Sequence, residues 1–186
     1  MKIVVAISGA TGAVLALELL KNLRNLPDIE THLVISEWAK KNIQLETEYT
    51  LEYVKSLADY VYDNNNLGAA ISSGSFRHDA MVVIPCSMKT LAAISNGYSE
   101  DLISRAADVT LKESRTLILV PRESPLSAIH IENLLKLSRL GVRIIPPMLS
   151  FYNKPETIQD IIDQFVGRIL DHLSIDHSLG KRWGQS

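Results

Sequence analysis

The chain has 186 residues, enough for one domain, residues 1–186, with a hydrophobic core of its own. Its formal net charge of −2 gives no overall attraction to nucleic acid or an anionic membrane, and its apolar runs are too short to span a bilayer. The single cysteine, Cys86, excludes an internal disulfide, and no secretory leader opens the chain, so we expect a cytoplasmic protein.

Strand-like apolar runs alternate with helix-like segments along the chain. The predicted strands are Lys2 to Ile7, Glu30 to Ile35, Ala80 to Ile84, Thr116 to Val120 and Val142 to Ile145. The predicted helices are Ala13 to Leu26, Ala39 to Leu45, Leu51 to Leu57, Lys89 to Ile94, Glu100 to Ser114, Ser127 to Leu140 and Thr157 to Leu173. Several strands lack polar alternation, as strands covered on both faces do. The pattern predicts a doubly wound α/β fold, a flavodoxin- or Rossmann-like parallel sheet with helices on both faces.

The turn after the first predicted strand reads SGATG, residues 8–12. Its glycines are separated by two residues, so it is neither the GxGxxG dinucleotide fingerprint nor a P-loop. A strand that leads through small residues into a helix aims free backbone N–H groups, and the positive end of the helix dipole, beyond the strand. We therefore expect an anion at this helix N-terminus, with phosphate as the usual occupant.

Small, hydroxyl-bearing or charged residues follow four of the predicted strands. They are Ser8 to Thr11, Ser36, Cys86 to Thr90, and Arg122 with Glu123. Ligands of doubly wound sheets bind beyond the carboxyl ends of the strands, so we expect these residues to converge on one crevice. Two hydroxyl-rich turns that enter helices suit phosphate groups and favour a nucleotide-like cofactor. The alternative is that these hydroxyls only cap helices.

Three other chemistries are considered, namely hydrolysis, metal binding and catalysis by a thiolate. The loop at 67–79, LGAAISSGSFRHD, contains the hydrolase-type residues Ser73, Ser75, His78 and Asp79. It lacks a GxSxG elbow, and residues so close in sequence rarely form a triad, so we do not predict a hydrolase. The five histidines have no metal-ligand spacing, so no metal site is predicted. Cys86 is more simply a buried packing residue than a reactive thiolate.

The second half of the chain carries cationic and phenolic side chains in distinctive positions. They are Arg105 and Lys112 in RAADVTLKE, Arg122 in PRESP, Tyr152 in PPMLSFYNKPE and Arg168 in GRILD. Such a set is suited to hold and stabilise a leaving phosphate. For Arg105, an i,i+3 ion pair with Asp108 is a simpler alternative, and spacing alone leaves both open.

Longer motifs carry a family resemblance. They are SGATGA, ISEWA, ISSGSF, DAMVVIPCSMKTLAAI, LISRAADVTLKE, LVPRESPLS, IHIENLLKLSRLG, PPMLSFYNKPETI and RILDHL…RW. Through them the chain resembles the UbiX family of flavin prenyltransferases over nearly its whole length. It is most similar to the branch that accompanies hydroxyaryl or phenolic acid decarboxylases, whose members have themselves been labelled decarboxylases.

The resemblance implies an enzyme that joins a dimethylallyl group to N5 and C6 of reduced FMN without a metal. Prenylated FMN, the product, would serve a separate UbiD-type decarboxylase. The implied FMN-binding residues are Gly9, Ala10, Thr11, Ser36, Ser87, Met88, Lys89, Thr90 and Arg122. The implied contacts to dimethylallyl phosphate are Glu46, Ser73, Arg105, Lys112, Glu123, Tyr152 and Arg168. The resemblance also implies a dodecamer whose neighbouring subunits supply Glu46 and Arg105.

Catalytic roles follow from the same resemblance and from charge. Lys112, with Arg168 and Tyr152, is expected to stabilise the leaving phosphate. Glu123 is expected to be the general base for the second bond, with either the phosphate or the Thr11 hydroxyl as relay. Many relatives have Ser where this chain has Thr11, so the hydroxyl is kept and a methyl group is added.

Two other functions stay open on the sequence. One is a direct flavin-dependent decarboxylase of phenolic acids, in which Arg122 and Arg168 would bind the carboxylate. The other is a flavin carrier protein, for which FMN binding alone would suffice. The sequence also does not separate dimethylallyl monophosphate from the diphosphate as donor.

Overall fold

The structure, a computed structural model, describes residues 1–180 and Gly184. Its strands are β1 (Lys2–Ile7), β2 (Glu30–Ile35), β3 (Tyr60–Asp63), β4 (Ala80–Cys86), β5 (Thr116–Pro121) and β6 (Arg143–Ile144). Its α-helices are α1 (Ala13–Arg24), α2 (Glu37–Glu46), α3 (Leu51–Ser56), α4 (Met88–Ser95), α5 (Leu102–Lys112), α6 (Ala128–Arg139) and α7 (Ile158–His172). A short 3-10 helix spans Ala70–Ser72. The Arg-Trp pair of the last resemblance motif, at positions 182 and 183, lies outside the described residues.

The six strands form one parallel sheet in the order β3-β2-β1-β4-β5-β6. This confirms the predicted doubly wound α/β class, and the order is that of the Rossmann fold, which reverses between β1 and β4. Successive side chains of a strand point to opposite faces, so β1 contributes to two cores. Ile3 and Val5 pack in the core on one face, and Val4 and Ala6 pack in the core on the other. Within the described part of the chain, no helix is long and apolar enough to cross a membrane.

The structure differs from the predicted elements mainly at the edges of the sheet. The prediction missed β3, an exposed four-residue strand that pairs only with β2 and has no clear apolar alternation. The strand predicted at 142–145 is reduced to Arg143–Ile144, because two prolines follow at 146 and 147 and end the ladder. The helix predicted at 100–114 begins later, at Leu102, because Asp101 caps it.

Most helices begin at a side chain that accepts a hydrogen bond from the first turn. These caps are Ser36, Thr50, Ser87, Asp101, Ser127 and Thr157. Helix α1 is different, since it begins at Gly12, whose φ of 107° lies in the left-handed region that favours glycine. Gly12 has no side chain to offer, so the first N–H groups of α1 need an acceptor from elsewhere in the fold.

His78 is the buried titratable group that joins the start of β4 to α5. Its Nε2 donates to the Thr110 hydroxyl at 2.8 Å, and its Nδ1 accepts from the Arg115 guanidinium at 3.1 Å. The imidazole is 4% exposed. Burial, together with the adjacent Arg115 cation, lowers the pKa of His78 from 6.5 to about 4. His78 is therefore neutral in the folded protein near neutral pH.

We expect folding stability to fall as the pH drops from 6.5 to about 4, because His78 takes up a proton in this range only when unfolded. Between pH 7 and pH 5 the loss from this residue should be about 2 kcal/mol. Urea unfolding at the two pH values measures it. In His78→Gln the free energy of unfolding should fall by about 2 kcal/mol less between the two pH values than in wild type. An equal fall in the two proteins would contradict the assignment.

Candidate functional site

A crevice of about 540 Å³ lies beyond the carboxyl ends of β1, β2 and β4. Of the residues predicted there, it is lined by Gly9, Ser36, Ser87, Lys89 and Thr90. The other lining residues are Glu37, Trp38, Asn64, Asn65, Glu100 and Asp101. The crevice lies where the strand order reverses, between β1 and β4, which is the usual ligand position in open α/β sheets.

Two helices begin at this crevice with hydroxyl caps. Ser36 accepts a hydrogen bond from the Ala39 N–H at 3.2 Å, at the start of α2. At the start of α4, Ser87 accepts from the Thr90 N–H at 3.3 Å, and the two hydroxyls lie 3.0 Å apart. Capping and ligand binding are compatible here, because a hydroxyl that accepts from the backbone still has a proton to donate. Two helix N-termini with the Lys89 cation suit an anionic group.

Ser8, predicted to face the ligand, instead fastens two strands together. Its hydroxyl donates to the Pro85 carbonyl at 2.9 Å and accepts from the Ser87 N–H at 2.8 Å. The residue is 1% exposed. Both hydrogen-bonding capacities of the hydroxyl are used between β1 and β4, so Ser8 shapes the crevice without lining it.

The N-terminus of α1 is occupied by a carboxylate of the same chain. Glu46 Oε2 accepts from the N–H groups of Gly12 and Ala13, each at 2.8 Å. The expectation of a phosphate at this helix N-terminus is therefore wrong, because Glu46 supplies the anion. Glu46 thus stabilises α1 of its own subunit, and its implied supply to a neighbouring subunit stays a prediction.

The SGATG turn is also held by Asn42, which the sequence analysis missed. Its amide donates to the Ala10 carbonyl at 2.9 Å. Asn42 and Glu46 are four residues apart on α2, so they share a face of that helix. This i,i+4 polar pair was visible in the sequence, although its target, some 30 residues earlier in the chain, was not. The turn is thereby fixed before any ligand binds.

The predicted site residues occupy more than one cavity at this edge of the sheet. Thr11 and Arg122 line a second cavity of about 240 Å³, and Tyr152 and Arg168 line a third of about 220 Å³. The second and third cavities adjoin, because both are lined by Met148, Ile161 and Phe165. The strand-end residues thus divide between the crevice and a neighbouring, more apolar cavity. Arg168 also pairs with Asp171 at 3.2 Å.

Two other candidates, Arg105 and Lys112, lie on α5, and Ser73 lies in the loop beside that helix. Arg105 Nε donates to the Ser72 carbonyl at 3.2 Å, which brings Ser73 alongside. Arg105 and Lys112 are seven residues apart, so they share one face of α5. Asp101, which lines the crevice, caps the other end of α5, and Lys112 lies ten residues into the helix, about 15 Å along its axis. Arg105 also makes the i,i+3 pair with Asp108, at 3.2 Å.

Glu123 and Met88, two further predicted residues, do not line the crevice. Glu123 is exposed, and its Oε1 accepts from the N–H of the adjacent Ser124 at 3.0 Å. Met88 packs against one of the two cores. Trp38, a crevice residue that the sequence analysis missed, is 67% exposed with the Lys41 ammonium 4.3 Å from its ring centroid. A tryptophan two residues after the strand-end Ser36 was the signal that could have revealed it.

The alternatives of hydrolase and reactive thiol find no support in the geometry. The ring nitrogens of His78 contact Thr110 and Arg115, while Asp79 accepts from the Lys2 N–H at 2.6 Å. Cys86 is fully buried, and burial raises the pKa of its thiol. Within residues 1–180 and Gly184, no group of three or more His, Cys, Asp or Glu side chains is arranged to hold a metal ion.

The chain is similar to known proteins over its whole length. Residues 1–170 match the family model described as Flavoprotein. The chain is 56% identical over 183 residues to a probable UbiX-like flavin prenyltransferase of Escherichia coli O157:H7, covering 98% of this chain and 93% of that protein. A crystal structure of a dodecameric FMN-dependent UbiX-like decarboxylase from the same organism has a TM-score of 0.98 at 55% identity, with 100% of both chains covered. The crystal structure of AnUbiX in complex with FMN and dimethylallyl pyrophosphate has a TM-score of 0.97 at 54% identity, covering 100% of this chain and 98% of that one.

Replacing Glu46 by Ala should lower the free energy of unfolding by about 2 kcal/mol, because two N–H groups and the helix dipole lose their anion. Glu46→Gln keeps an acceptor oxygen and should lose about half as much. Glu48→Ala, at an exposed position close by, is the control. Urea unfolding measures all three, and equal stability of Glu46→Ala and Glu48→Ala would refute the capping role.

Proposed function

The chain belongs to the UbiX-like flavin prenyltransferases, and from that membership we propose that it transfers a dimethylallyl group from a phosphate donor to reduced FMN. The product is prenylated FMN. The observation that carries the proposal is the crevice at the switch point, where two helix N-termini and their hydroxyl caps adjoin cavities with cationic side chains. A relative of 54% identity has been solved with FMN and dimethylallyl pyrophosphate.

The crevice and its neighbouring cavity fit a flavin nucleotide. Hydroxyls of Ser36, Ser87 and Thr90, backed by the N-termini of α2 and α4, suit the phosphate of FMN. The more apolar cavity beside Thr11 and Arg122 suits a flat ring. We assign FMN binding to these residues and to the turn and helix positions implied by the resemblance. Those positions are Gly9, Ala10, Met88 and Lys89.

Reduced FMN supplies the nucleophile, first at N5 and then at C6. Breaking the allylic C–O bond sends the electron pair to the phosphate, so cationic donors on that phosphate stabilise the transition state more than the ground state. Tyr152 and Arg168, which share one cavity, and Lys112 are assigned this role. Arg105 and Ser73 lie on the same helix face and adjoining loop as Lys112 and are assigned to donor binding with it.

The second bond forms when a proton adds to the double bond of the attached dimethylallyl group, which makes its tertiary carbon electrophilic, and C6 of the flavin ring then loses a proton. Glu123 is assigned as the general base, because it is an exposed carboxylate next to Arg122 at the end of β5. The Thr11 hydroxyl, in the same cavity as Arg122, can relay the proton. Glu46 is assigned an indirect contribution, because its carboxylate fixes the turn that carries Thr11.

We propose that the active site is shared between subunits of a dodecamer like that of the relative from Escherichia coli O157:H7. Lys112 lies about 15 Å along α5 from the crevice of its own chain, so it would complete the crevice of a neighbour. Apolar side chains on and beside α6 support assembly. Those more than 40% exposed include Leu126, Ile129, Ile131, Leu135 and Leu140. The product would pass to a UbiD-type decarboxylase.

Incubation with reduced FMN and dimethylallyl monophosphate or diphosphate should yield a flavin heavier by one dimethylallyl group, detected by mass spectrometry after extraction. The same mixture should activate a UbiD-type apoenzyme, because that enzyme needs the product as its cofactor. A flavin carrier would return FMN unchanged. Release of carbon dioxide from a hydroxybenzoate by the purified protein alone would favour the decarboxylase instead, although ordinary FMN is poorly suited to stabilise an aryl carbanion.

Lys112→Ala and Arg168→Ala should each slow prenylation by about 10²–10³-fold, because each removes one preorganised donor from the leaving phosphate. Co-expressed in equal amounts, the two variants should regain about a quarter of the wild-type activity if different subunits supply these residues. The control is co-expression of each variant with the Lys112→Ala/Arg168→Ala double variant, which cannot form an intact site. No recovery in the first mixture would mean that one subunit supplies both residues.

A further inference from the structure

One guanidinium holds most of the loop that runs from Ser72 to His78. Arg115 lies two residues after Glu113, the C-cap of α5. It donates to the Gly74 carbonyl at 2.7 Å and to the Phe76 carbonyl at 2.8 Å. It also donates to His78 Nδ1 at 3.1 Å. Its side chain is only 14% exposed. A planar fork with several donors can satisfy three acceptors on one loop at once, which a lysine cannot do equally well.

The hydrogen bonds around His78 fix its tautomer and extend the attachment into α5. The Thr110 hydroxyl donates to the Ala106 carbonyl at 2.7 Å, so it must accept from His78 Nε2. Nε2 therefore carries the proton, and Nδ1 is free to accept from Arg115. Thr110 and His78 are both buried, so the loop end is tied to the last turn of α5 by a satisfied internal network.

The loop lies in close contact with the last turn of α5. A Cβ atom at Gly74 would lie 2.2 Å from Glu113 Oε1, so only glycine allows the approach without displacing Glu113. Glu113 in turn lies 3.8 Å from Lys112 Nζ and 3.9 Å from the Arg115 guanidinium. Arg115 thus shares the Glu113 carboxylate with Lys112 while it holds the neighbouring loop in place.

We propose that Arg115 is a positioning residue that sets the geometry of Ser73 and Lys112 for the dimethylallyl phosphate donor, a role that rests on the proposed function. Ser73 lies between two attachments, the Arg105 bond to Ser72 and the Arg115 bond to Gly74. Loss of Arg115 releases the second attachment and leaves Glu113 to pair with Lys112. That pairing competes with the donor's phosphate for the Lys112 ammonium. Flavin binding, which uses a different edge of the subunit, is left intact.

The test compares Arg115→Gln and Arg115→Lys with Arg139→Gln, an exposed control on the last turn of α6. In Arg115→Gln the KM for dimethylallyl phosphate should rise by about tenfold or more, since charge-assisted hydrogen bonds are lost, while the Kd for FMN stays within about twofold. Arg115→Lys should be intermediate, because it keeps the charge and part of the donor set. Amide hydrogen exchange in residues 73–78 should be faster in both variants than in wild type, with the α4 amides unchanged.

Several outcomes would overturn the role of Arg115. An unchanged donor KM in Arg115→Gln, with wild-type protein making prenylated FMN, rejects the positioning role and leaves the proposed function standing. Equal losses of FMN affinity and donor affinity in Arg115→Lys reject it as well, because they indicate a general structural defect. If wild-type protein makes no prenylated FMN, the proposed function fails and this role fails with it.

Discussion

The site depends first on the parallel register of β1 with β2 and β4. Ile7 pairs with Ile35, and Ala6 pairs with Val83, so the residues that follow these strands emerge at one edge of the sheet. Beyond the last ladder pair, the Ser8 hydroxyl bridges the Pro85 carbonyl and the Ser87 N–H. This buried bridge holds the start of α4 against the end of β1. The crevice walls are therefore set by main-chain geometry, and the half-buried hydroxyls of Ser36, Ser87 and Thr90 are carried on rigid elements.

The N-termini of α1, α2 and α4 lie at this edge. They differ in whether the chain itself supplies an anion to them. Helix α1 is satisfied internally, because Glu46 accepts from both Gly12 and Ala13. The N-termini of α2 and α4 have only hydroxyl caps, which add no negative charge. An incoming phosphate therefore meets an unfavourable carboxylate at α1 and favourable dipoles at α2 and α4. We therefore expect the phosphate of a bound nucleotide at α2 and α4 rather than at α1.

The sequence predicted the parallel α/β class and most element positions, because buried strands and amphipathic helices leave periodic apolar signals. It failed where a residue acts over a long sequence separation. The capping role of Glu46 was missed, since nothing local shows that its carboxylate reaches the turn 34 residues earlier. Edge strand β3 was missed because its residues are exposed and pair on one side only. The hydrogen bond between His78 and Arg115 likewise joins residues 37 apart; His78 had suggested only a discarded triad, and Arg115 was not singled out.

The direction of α5 explains why Lys112, a cation proposed to act on the donor phosphate, lies far from the crevice of its own subunit. A helix in a parallel sheet begins at the carboxyl edge and ends at the opposite edge, so its first and last turns cannot serve the same crevice. Asp101 is at the crevice end of α5, while Lys112 and the loop held by Arg115 are at the other. A cation placed there lies away from its own crevice, and our proposal is that it serves a second molecule packed against that end. Assembly would then complete the catalytic charge, and an isolated subunit would bind flavin without the full set of donors for the leaving phosphate.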